Sequence, residues 1–114
     1  MISKYFKRAE FACQCGCGFD SIDMQTLAIL EEIREHFESP VLISSACRCQ
    51  AHNAEVGGAE KSQHVRARAA DIIVQGVFPS EVASYAEELG VSVGRYKTFT
   101  HVDTRTGLSA RWEG

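Results

Sequence analysis

Ala69-Ala70-Asp71-Ile72-Ile73-Val74 is the stretch on which the fold turns. Small and β-branched apolar residues predict a buried strand here, and one carboxylate interrupts it. A carboxylate left unpaired among apolar groups costs several kcal/mol, so the strand predicts a positive partner for Asp71. Arg66, Arg68 or Arg105 would serve, and so would a metal ion. On Asp71 alone the arginine is the simpler reading.

Outward from this strand the chain alternates helical and extended patterns. Residues 23–39 predict a helix, with Leu27, Ile29, Leu30, Ile33 and Phe37 on one stripe and Glu31, Glu32, Arg34 and Glu35 facing away. Ser21 or Asp23 caps its start, and Pro40 lies past its end. Residues 41–44 read as a second buried strand, leading into a polar loop at 45–48. A short helix is expected at 52–56, stopped by Gly57-Gly58. Pro79 and Ser80 open another that runs to about Leu89 and ends at Gly90. Residues 94–112 are expected to be β, with Thr106-Gly107 turning one strand back on the next. The first twenty residues look irregular. The expectation is a single α+β domain over 1–114, a mostly antiparallel sheet with flanking helices.

At 114 residues one domain can bury a core without staples. A formal charge of −3 argues against general nucleic-acid binding, which favours a basic face. No apolar run reaches the ~18 residues of a membrane span, so no membrane partner is expected, and a monomer is. The first residues lack the apolar core of a signal peptide. Synthesis in the cytoplasm is therefore expected, with any work outside it needing another exit.

His64 changes the reading of Asp71. It lies seven residues upstream in Ser62-Gln63-His64, where a loop can fold back on the strand. A third element is Phe99-Thr100-His101-Val102-Asp103-Thr104-Arg105. In a strand alternate side chains share a face, so Phe99, His101, Asp103 and Arg105 point together. An inward His101 completes a His₂Asp set. Two imidazoles, a carboxylate and an open position for water are the pattern of a hydrolytic zinc site.

Ser62-Gln63-His64 with Asp71, preceded by Arg48, His52 and Asn53 and followed by His101-Val102-Asp103, resembles the zinc D-Ala-D-Ala carboxypeptidase family. That family contains phage and bacterial peptidoglycan peptidases and shares its fold with the hedgehog signalling domain. The resemblance runs from Tyr5-Phe6 through 13–18 to Ala110-Arg111-Trp112, and is nearest to a compact phage and bacterial branch. It implies that His64, Asp71 and His101 hold zinc and that Arg48 contacts the substrate's carbonyl or carboxylate. It further implies hydrolysis of an amide bond in peptidoglycan stem or cross-link peptides, as by a phage lysin acting on the cell wall after release or within a virion. Ser62 and Gln63 are expected to shape the site, and Asn53 to bond backbone in its loop. Tyr96, Phe99 and Trp112 are candidate groove walls, although Phe99 and Trp112 read more simply as core.

Three departures from the family's pattern stand out. Ala67 occupies a place where glycine is frequent, and its small size keeps the change mild. Cys47 replaces the usual aromatic before the arginine. Thr98 stands where many relatives carry the acid that serves as general base, and threonine cannot accept a proton from zinc-bound water at neutral pH. Asp103 is the substitute, either as that base or as a hydrogen-bond partner of a ligating histidine. If it is only the latter, the domain is a zinc-containing binding module of the same fold.

Five cysteines, at 13, 15, 17, 47 and 49, cannot all pair internally. Cys13, Cys15, Cys17 and Cys49 are candidates for a second, structural zinc site. Their Cys-x-Cys-x-Cys spacing differs from the usual Cys-x2-Cys, so free thiols or a disulfide from Cys13 or Cys15 to Cys49 are favoured over it.

Overall fold

The computed structural model describes residues 2–58, 62–105 and 107–114. A 3₁₀ turn, Arg8–Phe11, precedes α1 (Met24–Phe37), β1 (Val41–Ser45), α2 (Gln50–Glu55) and β2 (Ala69–Val74). Then come α3 (Pro79–Glu88), β3 (Ser92–Arg95), β4 (Thr100–Asp103) and β5 (Arg111–Glu113). The five strands form one sheet in the order β1-β2-β4-β3-β5. All neighbours are antiparallel except β3 and β5. The fold is the expected α+β.

The alternation of each strand sorts its side chains. Ala70, Ile72 and Val74 of β2 and Val102 of β4 join the core with Leu27, Leu30 and Ile33 of α1 and Val82, Ala83 and Ala86 of α3. Both helices therefore cover one face of the sheet. Phe6 and Phe11, from the stretch expected to be irregular, are fully buried in that same core, their ring centroids 5.8 Å apart. Asp23 caps α1 through Gln25 N–H, as its position suggested. Glu38 ends the helix in the left-handed region at φ 49°.

Two expectations about strands need correction. The segment 41–44 is an edge strand, not a buried one: Val41 is buried, but Leu42 is 61% exposed. Among the described residues one edge of β1 has no strand beside it, and Leu42 on its outer face meets solvent. Further on, the strands before and after 106–107 do not pair with each other. β5 crosses to lie parallel to β3, while β4 is sandwiched between β2 and β3. Thr106 of the expected turn lies outside the described residues.

Cys47, read as an open question, is part of the second small core with Cys13 and Ala67. Its thiol donates to the carbonyls of Phe11 at 2.9 Å and Phe19 at 3.0 Å, which ties the N-terminal segment to the loop after β1. Burial, with Cys13 close by, pushes the thiol up to about 11. It stays protonated at neutral pH, as a donor must.

Candidate metal centre

Sheet register sets the first two groups of the site. Asp71 on β2 and His101 on β4 are direct cross-strand partners, so their side chains emerge side by side on the face away from the helices. A bulge in β1 between Ile43 and Ser45 redirects the chain there, with Ser45 opposite Asp71. The loop that follows supplies the Ala46 carbonyl and Arg48. His64 arrives from the tight turn at 63–67, docked by Arg48 N–H donating to its carbonyl at 3.1 Å.

Each imidazole has one nitrogen engaged from behind and one turned inward. His64 Nδ1 lies 2.6 Å from the Ala46 carbonyl, so it carries the hydrogen and leaves the Nε2 lone pair free. That Nε2 is 3.3 Å from Asp71 Oδ1. His101 Nε2 is 2.7 Å from Asp103 Oδ2, and its Nδ1 is 2.9 Å from Asp71 Oδ1. In a tetrahedral zinc site with bonds of about 2.0–2.1 Å, neighbouring ligand atoms are about 3.3 Å apart. His64, Asp71 and His101 thus form a group able to hold a metal ion, all three buried and with ligand atoms within 4.8 Å of one another. Three electron-pair donors packed this closely require a cation or a proton between them.

The proton case sets the metal-free electrostatics. Burial alone would raise the Asp71 carboxyl, but hydrogen bonds from His101 and His64 hold it well below the usual carboxylate range. Burial likewise disfavours charge on His101, and Asp103 and Asp71 overcome this to raise its pKa above the ordinary value of 6.5.

Asp103 is fully enclosed. Arg105 forks onto it, Nε to Oδ1 at 2.8 Å and Nη2 to Oδ2 at 2.7 Å. Burial opposes its charge, but Arg105 and then His101 depress its pKa strongly. The arginine that meets Asp71 is none of the three expected. It is Arg48, with Nη2 3.6 Å from Asp71 Oδ2, while Arg105 belongs to Asp103 and Arg66 is exposed. Arg48 is itself held by Ser45 Oγ at 3.3 Å and Asn53 Oδ1 at 3.2 Å. Asn53 sits in α2 and not in the loop expected for it, and it positions the guanidinium.

These groups open on a cavity of about 490 Å³. Arg48, Ser62, Gln63, Tyr96, Phe99 and Trp112 line it beside the three candidate ligands. Ser62 Oγ accepts from His64 N–H at 3.2 Å, and Gln63 Oε1 is buried without a hydrogen-bond partner among the described residues. Phe99 and Trp112 are wall residues, correcting their simpler reading as core. Trp112 lies flat enough on β3 that any Cβ on Gly94 would sit 2.6 Å from its ring. Its ring centroid is 4.9 Å from that of His101, and its Nε1 donates to Tyr96 Oη at 2.9 Å. Gly58 plays a similar part, since a Cβ there would strike Asn53 Oδ1. Gly58 was read only as part of a helix stop, and Gly94 carried no signal in the sequence beyond its identity. Thr98 is exposed in the bend before β4, and among the described cavity residues Asp71 has the one carboxylate.

The family described as Peptidase M15 matches residues 4–103, nearly the whole chain, and the protein belongs to this family of zinc metallopeptidases. A peptide substrate follows from that membership. No curated protein matches the chain. Among the described residues no helix is long and apolar enough to cross a membrane.

Proposed function

We propose that the protein hydrolyses an amide bond in peptidoglycan stem or cross-link peptides, with zinc held by His64 Nε2, Asp71 and His101 Nδ1. The observation that carries this reading is the convergence of these three donors on a cavity that also presents Arg48. The donor set fits zinc: each ligand's far side is already hydrogen-bonded, to Ala46 for His64 and to Asp103 for His101, as in carboxylate–histidine–zinc arrangements. Zinc in such a site polarises a carbonyl and brings its bound water to a pKa near neutrality.

The chain's own residues supply the rest. Arg48, with its Nε on Ser45 and Nη1 on Asn53, keeps further N–H donors for a substrate carboxylate or a developing oxyanion. Its preset orientation removes much of the entropy that a free arginine would lose on binding. Gln63, whose buried Oε1 has no partner among the described residues, is suited to accept a backbone N–H from the peptide, and Ser62 fixes the turn that aims His64. Tyr96 accepts from Trp112 and so keeps its own hydroxyl hydrogen for substrate. Phe99 and Trp112 exclude water from the cavity's sides. Asp103 acts here as a positioning residue: both its oxygens are occupied by His101 and Arg105, and base duty would need one exposed to the cavity. Action on the cell wall, as a phage lysin or a virion component, belongs to the same proposal.

One observation favours a second reading, a zinc-holding module that binds cell-wall peptide without cleaving it. Among the described cavity residues no carboxylate other than Asp71 stands ready to take a proton. Incubating zinc-loaded protein with peptidoglycan, with and without chelator, and identifying released peptides by mass spectrometry separates the two. Chelator-sensitive products restored by zinc support hydrolysis and identify the bond. Binding without cleavage across several peptidoglycan types would establish the module instead.

A further inference from the structure

The hydrolytic reading uses none of the five cysteines, yet four of them are gathered at one point. The Sγ atoms of Cys13, Cys15, Cys17 and Cys49 lie within 4.8 Å of one another. Cys13 and Cys15 are 3.5 Å apart, Cys15 and Cys49 3.6 Å, and Cys13 and Cys49 3.8 Å. A disulfide requires sulfurs about 2.0 Å apart, and all five cysteines are unbridged. Four thiolates on a tetrahedral zinc with bonds of about 2.3 Å would be about 3.8 Å from each other. The three measured edges fall near that figure.

The surroundings are also those of a thiolate centre. Backbone N–H groups point at two of the sulfurs: Cys49 N–H at Cys13 Sγ and His52 N–H at Cys49 Sγ, each at 3.4 Å. The short Cys-x-Cys-x-Cys spacing becomes workable because Gly16 and Gly18 adopt φ of 81° and 92°, which curls the chain so that three successive odd-numbered side chains turn to one centre. Gly16 N–H closes that turn on the Cys13 carbonyl at 3.2 Å. Cys47, two residues from Cys49, is excluded: its sulfur is spent on the Phe11 and Phe19 carbonyls. The odd count thus resolves into four ligands and one core thiol.

We propose that Cys13, Cys15, Cys17 and Cys49 form a structural tetrathiolate zinc site, separate from the His–Asp–His centre. Binding releases the thiol protons to solvent and involves no oxidant. The ion clips the N-terminal segment to the start of α2, immediately beside Arg48 and three residues from Ala46. It therefore braces the loop that holds both the guanidinium and the hydrogen-bond acceptor of His64. This assignment does not depend on the hydrolytic reading.

The test is metal content and cobalt spectroscopy on the full chain purified under reducing conditions. Native mass spectrometry is expected to find two zinc ions on the wild type and one on Cys17→Ser, which changes an exposed residue. Cobalt replacement is expected to produce an intense sulfur-to-metal charge-transfer band that persists in His101→Ala and is lost or strongly reduced in Cys17→Ser. A folded, reduced wild type that shows only the weak bands of nitrogen and oxygen ligation would overturn the site, and needs no variant to be informative. So would free reaction of the exposed Cys15 and Cys17 thiols in the native zinc-loaded protein. Loss of the second metal in His101→Ala with the sulfur band intact bears on the hydrolytic centre alone.

Discussion

The two candidate metal clusters are built in opposite ways. The His–Asp–His group draws its members from a turn and two strands, spread over 64–101, and the sheet register brings them together. The cysteine group takes three members from one five-residue run and needs only Cys49 from afar. The first buries its donors beneath a cavity, with Arg48 and an aromatic wall. The second has two exposed sulfurs and no residue on that cavity. Strand-mounted ligands suit chemistry, because the sheet fixes them rigidly and leaves one side open. A loop closed on itself by thiolates suits bracing, because its ligands order a segment that has little core of its own.

The largest expected effect sharpens that division. His101→Ala should abolish peptide hydrolysis and remove one metal, while the sulfur centre persists; assays of released peptide and zinc content check both. Arg48→Ala should lower kcat/KM by roughly 10²-fold, the typical loss for one oxyanion donor, with zinc content unchanged. If it instead lost zinc, the contact of its guanidinium with the ligand Asp71, Nη2 to Oδ2 at 3.6 Å, would be the greater part of its role. Asp103→Asn should weaken zinc at the catalytic centre by roughly 10–100-fold, as expected for a ligand's hydrogen-bond partner, and excess zinc should restore activity. A zinc-saturated but inactive Asp103→Asn protein would make Asp103 the proton acceptor and break the assignment.

The pH response of the metal-free protein separates the clusters by charge. Asp71 and Asp103 are depressed from 3.8, so their contribution is present above that value and is lost as pH falls through the folded pKa values. His101 is raised from 6.5, so its contribution is complete below 6.5 and is lost as pH climbs through the higher folded value. Urea unfolding from pH 3 to 9 should therefore show metal-free stability declining at both ends. Zinc, by replacing the His101 proton, should remove the alkaline decline; its persistence in the zinc-loaded protein would count against His101 Nδ1 as ligand. The smallest effect lies far from both clusters. Glu38→Gly, at the exposed left-handed end of α1, should stabilise the fold by about 0.5–1 kcal/mol in denaturant melts.

Much of this architecture was readable before folding. Periodicity located α1, because one-sided burial against a sheet imposes it directly; start and stop residues located α3, and an unbroken apolar run located β2, which is buried on both faces. The lone carboxylate in β2 announced a cationic partner. The C-terminal strand order was not readable, since the chain leaves β4 and passes the adjacent β3 to pair on its far edge, and local turn residues do not encode such a crossing. Ala67 shows a subtler limit. Its size makes the loss of glycine look mild, whereas its φ of 59° shows that the position asks for glycine's backbone freedom. Asn53 and Gly58 gained their meaning from Arg48, which no spacing rule connects to them.

The sequence by itself determined which residues have the chemistry to bind metal: two histidines and an aspartate that an apolar strand cannot bury uncompensated, and cysteines too many to pair. Tertiary structure alone decided how they are used. Which nitrogen of each histidine faces inward depends on whether a carbonyl or a carboxylate stands behind it, and that is a matter of register. Asp103 looks equally suited to moving a proton or holding a ring until Arg105 closes over it. The cysteine spacing looks unfit for zinc until two left-handed glycines curl the run and α2 brings Cys49 to it. Composition limits the chemistry available, but only distances of a few ångströms between remote residues select among its uses.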